Sequence, residues 1–146
     1  MAHPPSDTLV PPVLPRPGVS ATATLVVTAE DTAVAMRSGE VPVLSTPRLL
    51  GLCEEASNLA LSGRLAPGKT TVATRVQFDH LAPVPVGATV RAEAVLSRVH
   101  GRRLIFTISA SLRSEAGPRL VGAGRLTRVV VDQEGFMSRA SSSGPR

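Results

Sequence analysis

The sequence predicts an α+β fold, with one long helix packed on an antiparallel sheet. Three observations predict it. Leu49, Cys53, Ala56 and Ala60 recur at helical spacing behind Thr46-Pro47. Four strand-like runs follow, at 69–80, 89–98, 104–113 and 119–132, with apolar and polar residues alternating along them. Gly101 and Ala116-Gly117-Pro118 supply turns between neighbouring runs, as a meander requires. One long helix followed by such a meander is an α+β pattern. A chain of 146 residues is one domain by length, with a single core of modest size.

The elements follow in order. Residues 1–17 are rich in proline and are expected to form a flexible, extended arm. Val19 to Val27 carries β-branched and small residues and reads as a strand. Thr28-Ala-Glu-Asp31 reads as a helix start, with Thr28 as cap and acidic residues in the first turn. That short helix should end near Ser38-Gly39, and 40–45 should connect. Thr46-Pro47 then starts the long helix, with a capping hydroxyl ahead of proline at the first helical position. Gly63 and Pro67-Gly68 end it. On the first strand of the meander, simple alternation puts Thr70, Val72, Thr74, Val76, Phe78 and His80 on one face and Ala73, Arg75, Gln77 and Asp79 on the other. Val90, Ala92, Ala94 and Leu96 are inward on the second, and Leu104, Phe106, Ile108, Ala110 and Leu112 on the third. The domain spans 18–137, and 138–146 reads as a disordered tail.

Composition narrows the function classes. The chain has three Phe and no Trp or Tyr, so its core is built from Val, Leu and Ala. Base stacking needs exposed aromatics, and three Phe on apolar faces argue against nucleic acid as a partner. A net charge of +5 still favours an anionic ligand, and the phosphates of coenzyme A are one candidate. The single Cys53 excludes an internal disulfide and multi-cysteine metal sites. No apolar run reaches the ~20 residues a membrane helix needs, and a cytoplasmic location is expected.

Thr46, Glu54 and His80 are the residues with chemical potential. A hydroxyl, a carboxylate and an imidazole are enough to hydrolyse an activated acyl group. The commoner role for Thr46 is a helix cap. The same helix end offers the free amides of Arg48 and Leu49 to a developing oxyanion. Periodicity does not separate Glu54 from its neighbour Glu55, because both lie on the flanks of the buried stripe. His80 is in register with an apolar strand face, where histidines are more often structural, yet it stands at the strand's end where sites gather. Arg98, Arg102 and Arg103 surround one turn, and beyond keeping the surface soluble they could clamp phosphates. Cys53 lies on the buried stripe as a packed thiol. The sequence contains no G-x-x-x-x-G-K, no G-x-S-x-G and no H-E-x-x-H.

The stretches VPVLSTPRLLGLCEEASNLA and GKTTVATRVQFDHLAPVPVGATVRAEAVLSRVHGRRLIFTISA resemble the fluoroacetyl-CoA thioesterase family, a hotdog-fold group. The resemblance covers roughly residues 18–132. It implies a sheet wrapped around a central helix. It places the family's catalytic threonine, glutamate and histidine on Thr46, Glu54 and His80, and so selects Glu54 over Glu55. Arg128 falls on a substrate-side arginine and Ala73 on a substrate-lining glycine, while Gly101-Arg102-Arg103 adds a further match. The implied activity is hydrolysis of an acyl-CoA thioester by a homodimer whose sites form between subunits. No cofactor is implied beyond the coenzyme A of the substrate. A non-catalytic acyl-CoA or acyl-carrier binder of the same fold is the alternative. Two departures concern the acyl group. The family gates its pocket with phenylalanines, and the loop 38–44 has none; the methyl group of Ala73 narrows the space where the family has glycine.

Overall fold

The computed structural model describes residues 14–142. Its elements are β1 (Ser20–Val26), a 3₁₀ turn (Ala29–Asp31), α1 (Thr46–Ala60), β2 (Lys69–His80), β3 (Thr89–His100), β4 (Arg103–Leu112), β5 (Arg119–Asp132) and α2 (Gln133–Ser142). The strands form one antiparallel sheet in the order β1-β3-β4-β5-β2. The sheet curls over α1, whose buried stripe of Leu49, Leu52, Cys53, Ala56 and Ala60 meets Ala92, Ala94, Leu96, Phe106, Ile108 and Leu126. Alanine on the facing positions lets helix and sheet approach closely, which suits a core almost without aromatics. This is the hotdog arrangement.

Three local expectations need correction. The segment after Thr28 is a single 3₁₀ turn rather than a helix reaching Ser38. Asp31 closes a capping box on Thr28, but Thr32 is already extended and bridges Leu44, so the chain turns back instead of continuing. The strand β2 does not alternate throughout. Ala73 pairs with Arg128 and Arg75 with Thr127, leaving Thr74 as an extra, bulged residue. The bulge reverses the facing, so Thr71 is the buried residue at the start of β2, while Phe78 packs inward at its end. The chain expected to be a tail from 138 is helical as far as Ser142. Asp132 accepts the Gly135 N–H at 2.9 Å, and the Gln133 N–H reaches the Gly68 carbonyl at 2.9 Å, which starts the helix. Of the expected flexible arm, 1–13 lies outside the described residues, as does 143–146 of the tail. Leu14–Pro17 lead into β1, with Pro15 buried.

Two glycines position the end of β2. Gly124 sits opposite Phe78, and a Cβ there would run into the Gln77 carbonyl oxygen and stand 2.8 Å from the Phe78 Cα. Gly122, opposite His80, lies beneath the Phe78 ring. At Gly124 the close approach of β5 to β2 therefore depends on a missing side chain, whereas a Cβ at Gly122 would meet side-chain atoms.

Candidate active site

The helix α1 is capped by Ser45, not by Thr46. The Ser45 hydroxyl accepts the Arg48 N–H at 3.1 Å, and the Leu49 N–H bonds the Ser45 carbonyl at 3.0 Å. The two amides expected to be free are therefore used. The N–H left without a partner among the described residues at this helix end is that of Thr46 itself. Moving the cap back by one residue also releases the Thr46 side chain. Its Oγ1 lies 2.8 Å from Nδ1 of His80, brought from the end of β2, 34 residues away in sequence. His80 Nε2 is buried and has no hydrogen-bond partner among the described residues. A buried, unpaired ring nitrogen is costly, which marks His80 as a residue kept for more than packing.

Thr46 and His80 open onto a cavity of about 430 Å³. Apolar residues make most of its wall, among them Val41, Val43, Leu44, Pro47, Leu81 and Pro83. A mostly apolar hollow with a few convergent polar groups is the ordinary form of a small-molecule site. Another hollow, on the outer face of the sheet, is lined by Arg91, Glu93 and Arg113 and contains none of the three candidate catalytic residues.

Glu54 does not join the Thr46–His80 pair within one chain. It sits eight residues along α1 from Thr46, about 12 Å of helix axis. No carboxylate lies within 4.0 Å of His80 among the described residues, where the one ion pair is Arg48–Asp31. Glu54 is half-buried while Glu55 is exposed, so burial separates two residues that periodicity could not. Glu54 acts electrostatically on Arg128, which is only 8% exposed. Its guanidinium donates to Thr71 Oγ1 at 2.8 Å, to Ser57 Oγ at 3.3 Å and to the Thr71 carbonyl at 3.3 Å. Burial lowers its pKa from the ordinary arginine value, and Glu54 opposes that shift. Cys53, beside Glu54, is pushed up to about 11 by burial and then by the glutamate charge, which makes it a poor nucleophile.

The remaining candidates lie elsewhere. Ala73 pairs with Arg128 on β5 and is exposed. Arg102 and Arg103 are exposed at the β3–β4 turn, where the Arg102 carbonyl accepts the Val130 N–H at 2.9 Å. His80 pairs with Gly122, so the two ends are separated by eight residues of β5, about 26 Å. Sequence reasoning missed Ser45, Met36, Asp31 and Arg48 as supports of Thr46. The capping box Thr28-x-x-Asp31 was visible, but its link to Arg48 was not.

A curled sheet around one helix, with a hydroxyl–imidazole pair at the mouth of an apolar cavity, defines a hotdog-fold thioester hydrolase. The chain belongs to the fluoroacetyl-CoA-specific thioesterase family, whose sequence profile matches residues 27–134. It is 33% identical over 103 residues to the fluoroacetyl-CoA thioesterase of Streptantibioticus cattleyicolor, across 70% of this chain and 71% of that one. A solved structure of the fluoroacetyl-CoA thioesterase is similar with a TM-score of 0.79 at 28% identity, over 90% of this chain and 99% of that one. A thioesterase-superfamily member from Thermus thermophilus is similar with a TM-score of 0.76 at 26% identity, over 87% and 93% of the two chains. No helix among the described residues is long and apolar enough to cross a membrane.

Proposed function

We propose that this hydrolase cleaves a short or medium acyl-CoA thioester as a homodimer, using Thr46, His80 and Glu54. The observation that carries the reading is the 2.8 Å contact between Thr46 Oγ1 and His80 Nδ1 at the mouth of the apolar cavity. With the Thr46 hydroxyl donating to Nδ1, the imidazole proton resides on Nε2, which has no partner among the described residues and is free to donate. The thioester carbonyl oxygen takes the Thr46 N–H, next to the positive end of α1. Glu54 removes a proton from water as the water oxygen bonds the carbonyl carbon. The C–S bond then breaks, and the proton held by Glu54 ends on the departing sulfur, with His80 Nε2–H bonded to that sulfur as its charge develops. The products are one carboxylic acid and one thiol. Side chains and water suffice, so the reaction calls for no resident cofactor. A diffusible coenzyme A thioester is a cytoplasmic substrate, and that is the proposed location.

Distance argues for the dimer. Glu54 is too far along α1 to serve His80 of its own chain, so a second subunit supplies the carboxylate. The strand β2 has β5 on one side, leaving its other edge for a partner strand. Val76 on β2 and Leu59 on α1 are exposed and would be covered by the second copy. About 26 Å of sheet separates Arg102 and Arg103 from His80 of their own chain, so they are assigned to the coenzyme A phosphates at a site shared between the two subunits, with Arg128 and Ala73 on its substrate side. The loop 38–44 lines the cavity with Val41, Val43 and Leu44 and no aromatic ring, so the acyl group is aliphatic and fluoroacetyl selectivity is not expected.

Thiol release from short, branched and aryl acyl-CoA thioesters tests the reading. Wild type should turn over at least one aliphatic substrate, and Thr46→Ala, Glu54→Gln and His80→Ala should each lose most of that rate. Mixing unfolded Glu54→Gln and His80→Ala chains and refolding them together should restore about a quarter of wild-type activity, because half the dimers then carry one intact site. Saturable binding of acyl-CoA with no thiol release would leave a binding protein instead.

A further inference from the structure

We infer that Asp31, acting through Arg48 and the Ser45 cap, is a positioning residue for Thr46, an inference that rests on the proposed role of Thr46. The Thr46–His80 contact joins two elements that meet only at their ends, so its length depends on where the first turn of α1 is held. Asp31 holds that turn from both sides of Thr46. Its backbone carbonyl accepts the Ser45 N–H at 2.9 Å, immediately before Thr46. Its carboxylate Oδ1 accepts Arg48 Nε at 3.1 Å, two residues after Thr46. The other carboxylate oxygen, Oδ2, is tied to Thr28 by the backbone N–H at 2.8 Å and by the hydroxyl at 3.0 Å. The carboxylate therefore links the end of β1, through Thr28, to the helix that carries Thr46.

The link is stiff for identifiable reasons. The Asp31 side chain is 13% exposed and that of Arg48 32%, so water competes weakly for the acid. Pro47 stands between the two tethered residues with its φ fixed and no N–H, which leaves the Thr46-Pro47 unit few alternative conformations. Ser45 is fully buried, and its hydroxyl also contacts Met36 Sδ at 2.9 Å, so the cap is pinned by the segment ahead of the loop 38–44 as well. Asp31 touches neither the cavity nor His80. Its effect on the reaction must pass through Thr46, and that makes it testable.

A double-substitution comparison separates positioning from general support. Arg48→Met and Asp31→Asn should each lower kcat by about 10- to 100-fold with little change in KM, the loss expected when a reacting group moves by about 1 Å. Arg48→Lys should recover part of it. In a Thr46→Ala background the same substitutions should cause almost no further loss. The imidazole ¹⁵N resonances of His80 give a readout that needs no turnover: Arg48→Met should move Nδ1 toward its position in Thr46→Ala. An unchanged Nδ1 resonance in Arg48→Met, or equal losses of kcat with and without Thr46, would overturn the inference. Should Asp31→Asn fail to fold, the partly exposed Arg48 decides the question by itself. A wild type that releases no thiol sinks the catalytic reading, while the Nδ1 comparison still reports whether Arg48 sets the Thr46–His80 contact.

Discussion

Replacing Gly124 with alanine tests how closely the sheet aims His80. The added Cβ would overlap the Gln77 carbonyl oxygen and stand 2.8 Å from the Phe78 Cα, where ordinary carbon contacts are about 3.5–4.0 Å. Both obstacles are backbone, so no side-chain rotation relieves them. β2 must move off β5 by about 1 Å at Gln77 and Phe78. Overpacking of this kind costs about 1–3 kcal/mol, and weakening one or two ladder hydrogen bonds adds about 1 kcal/mol. A total near 3 kcal/mol should lower Tm by about 10 °C in a chain of this size. His80 lies two residues beyond Phe78, so the same shift stretches the 2.8 Å contact with Thr46 past hydrogen-bonding range. A loss of about 100-fold in kcat is expected. Thermal unfolding and thiol release measure the two effects on one preparation. Gly122→Ala is the control, since its Cβ meets the tip of the Phe78 ring at 2.6 Å, and a ring can turn where a backbone cannot. A Gly124→Ala protein within 2 °C and twofold of wild type, by these measures, would refute the claim that this strand pair depends on a missing side chain.

Three further outcomes follow from the same geometry. Cys53 should resist alkylation in the folded protein, since with a pKa of about 11 only about one thiol in a thousand is ionised at pH 8; labelling should begin only as urea unfolds the chain, and stoichiometric labelling of native protein would contradict its burial. Burial pushes the Asp31 carboxyl up, but hydrogen bonds from Thr28 and the Arg48 charge outweigh it and hold the pKa below the ordinary 3.8. The stabilisation from a lowered carboxyl is complete above the unfolded value and fades as pH falls through the folded one. The stability gap between wild type and Asp31→Asn should therefore be constant from neutral pH down to about 5 and shrink below 3.8, and urea titrations that show a gap growing toward acid would reverse the sign. Arg128→Ala should cost about 3 kcal/mol, because it opens a cavity and leaves Ser57 and the Thr71 carbonyl without their donor, whereas Arg128→Met should cost about 1 kcal/mol by filling the space; equal losses in chemical denaturation would show that packing around the guanidinium does not matter.

The sequence by itself determined what short-range physics decides. Apolar spacing marked α1, alternation marked four strands, and Pro and Gly marked where they stop, because side-chain periodicity and backbone restriction act within a few residues. It also offered the three chemical groups; periodicity left Glu54 and Glu55 undivided, the family resemblance selected Glu54, and Glu54 is the more buried of the two. Tertiary contacts decided the rest. Ser45 and Thr46 are both competent caps in isolation, serine the better by a little; Ser45 takes the cap because Asp31 and Met36 also hold it in the core, and that frees the Thr46 hydroxyl for His80. The bulge at Thr74 exists only relative to β5, where Arg128, paired with Ala73, reaches diagonally to the buried Thr71 hydroxyl. α2 begins where β5 meets the loop after α1 at Gly68. Each of these depends on which distant backbone arrives opposite, and that follows from strand pairing and burial, whose energies belong to no single segment of the chain.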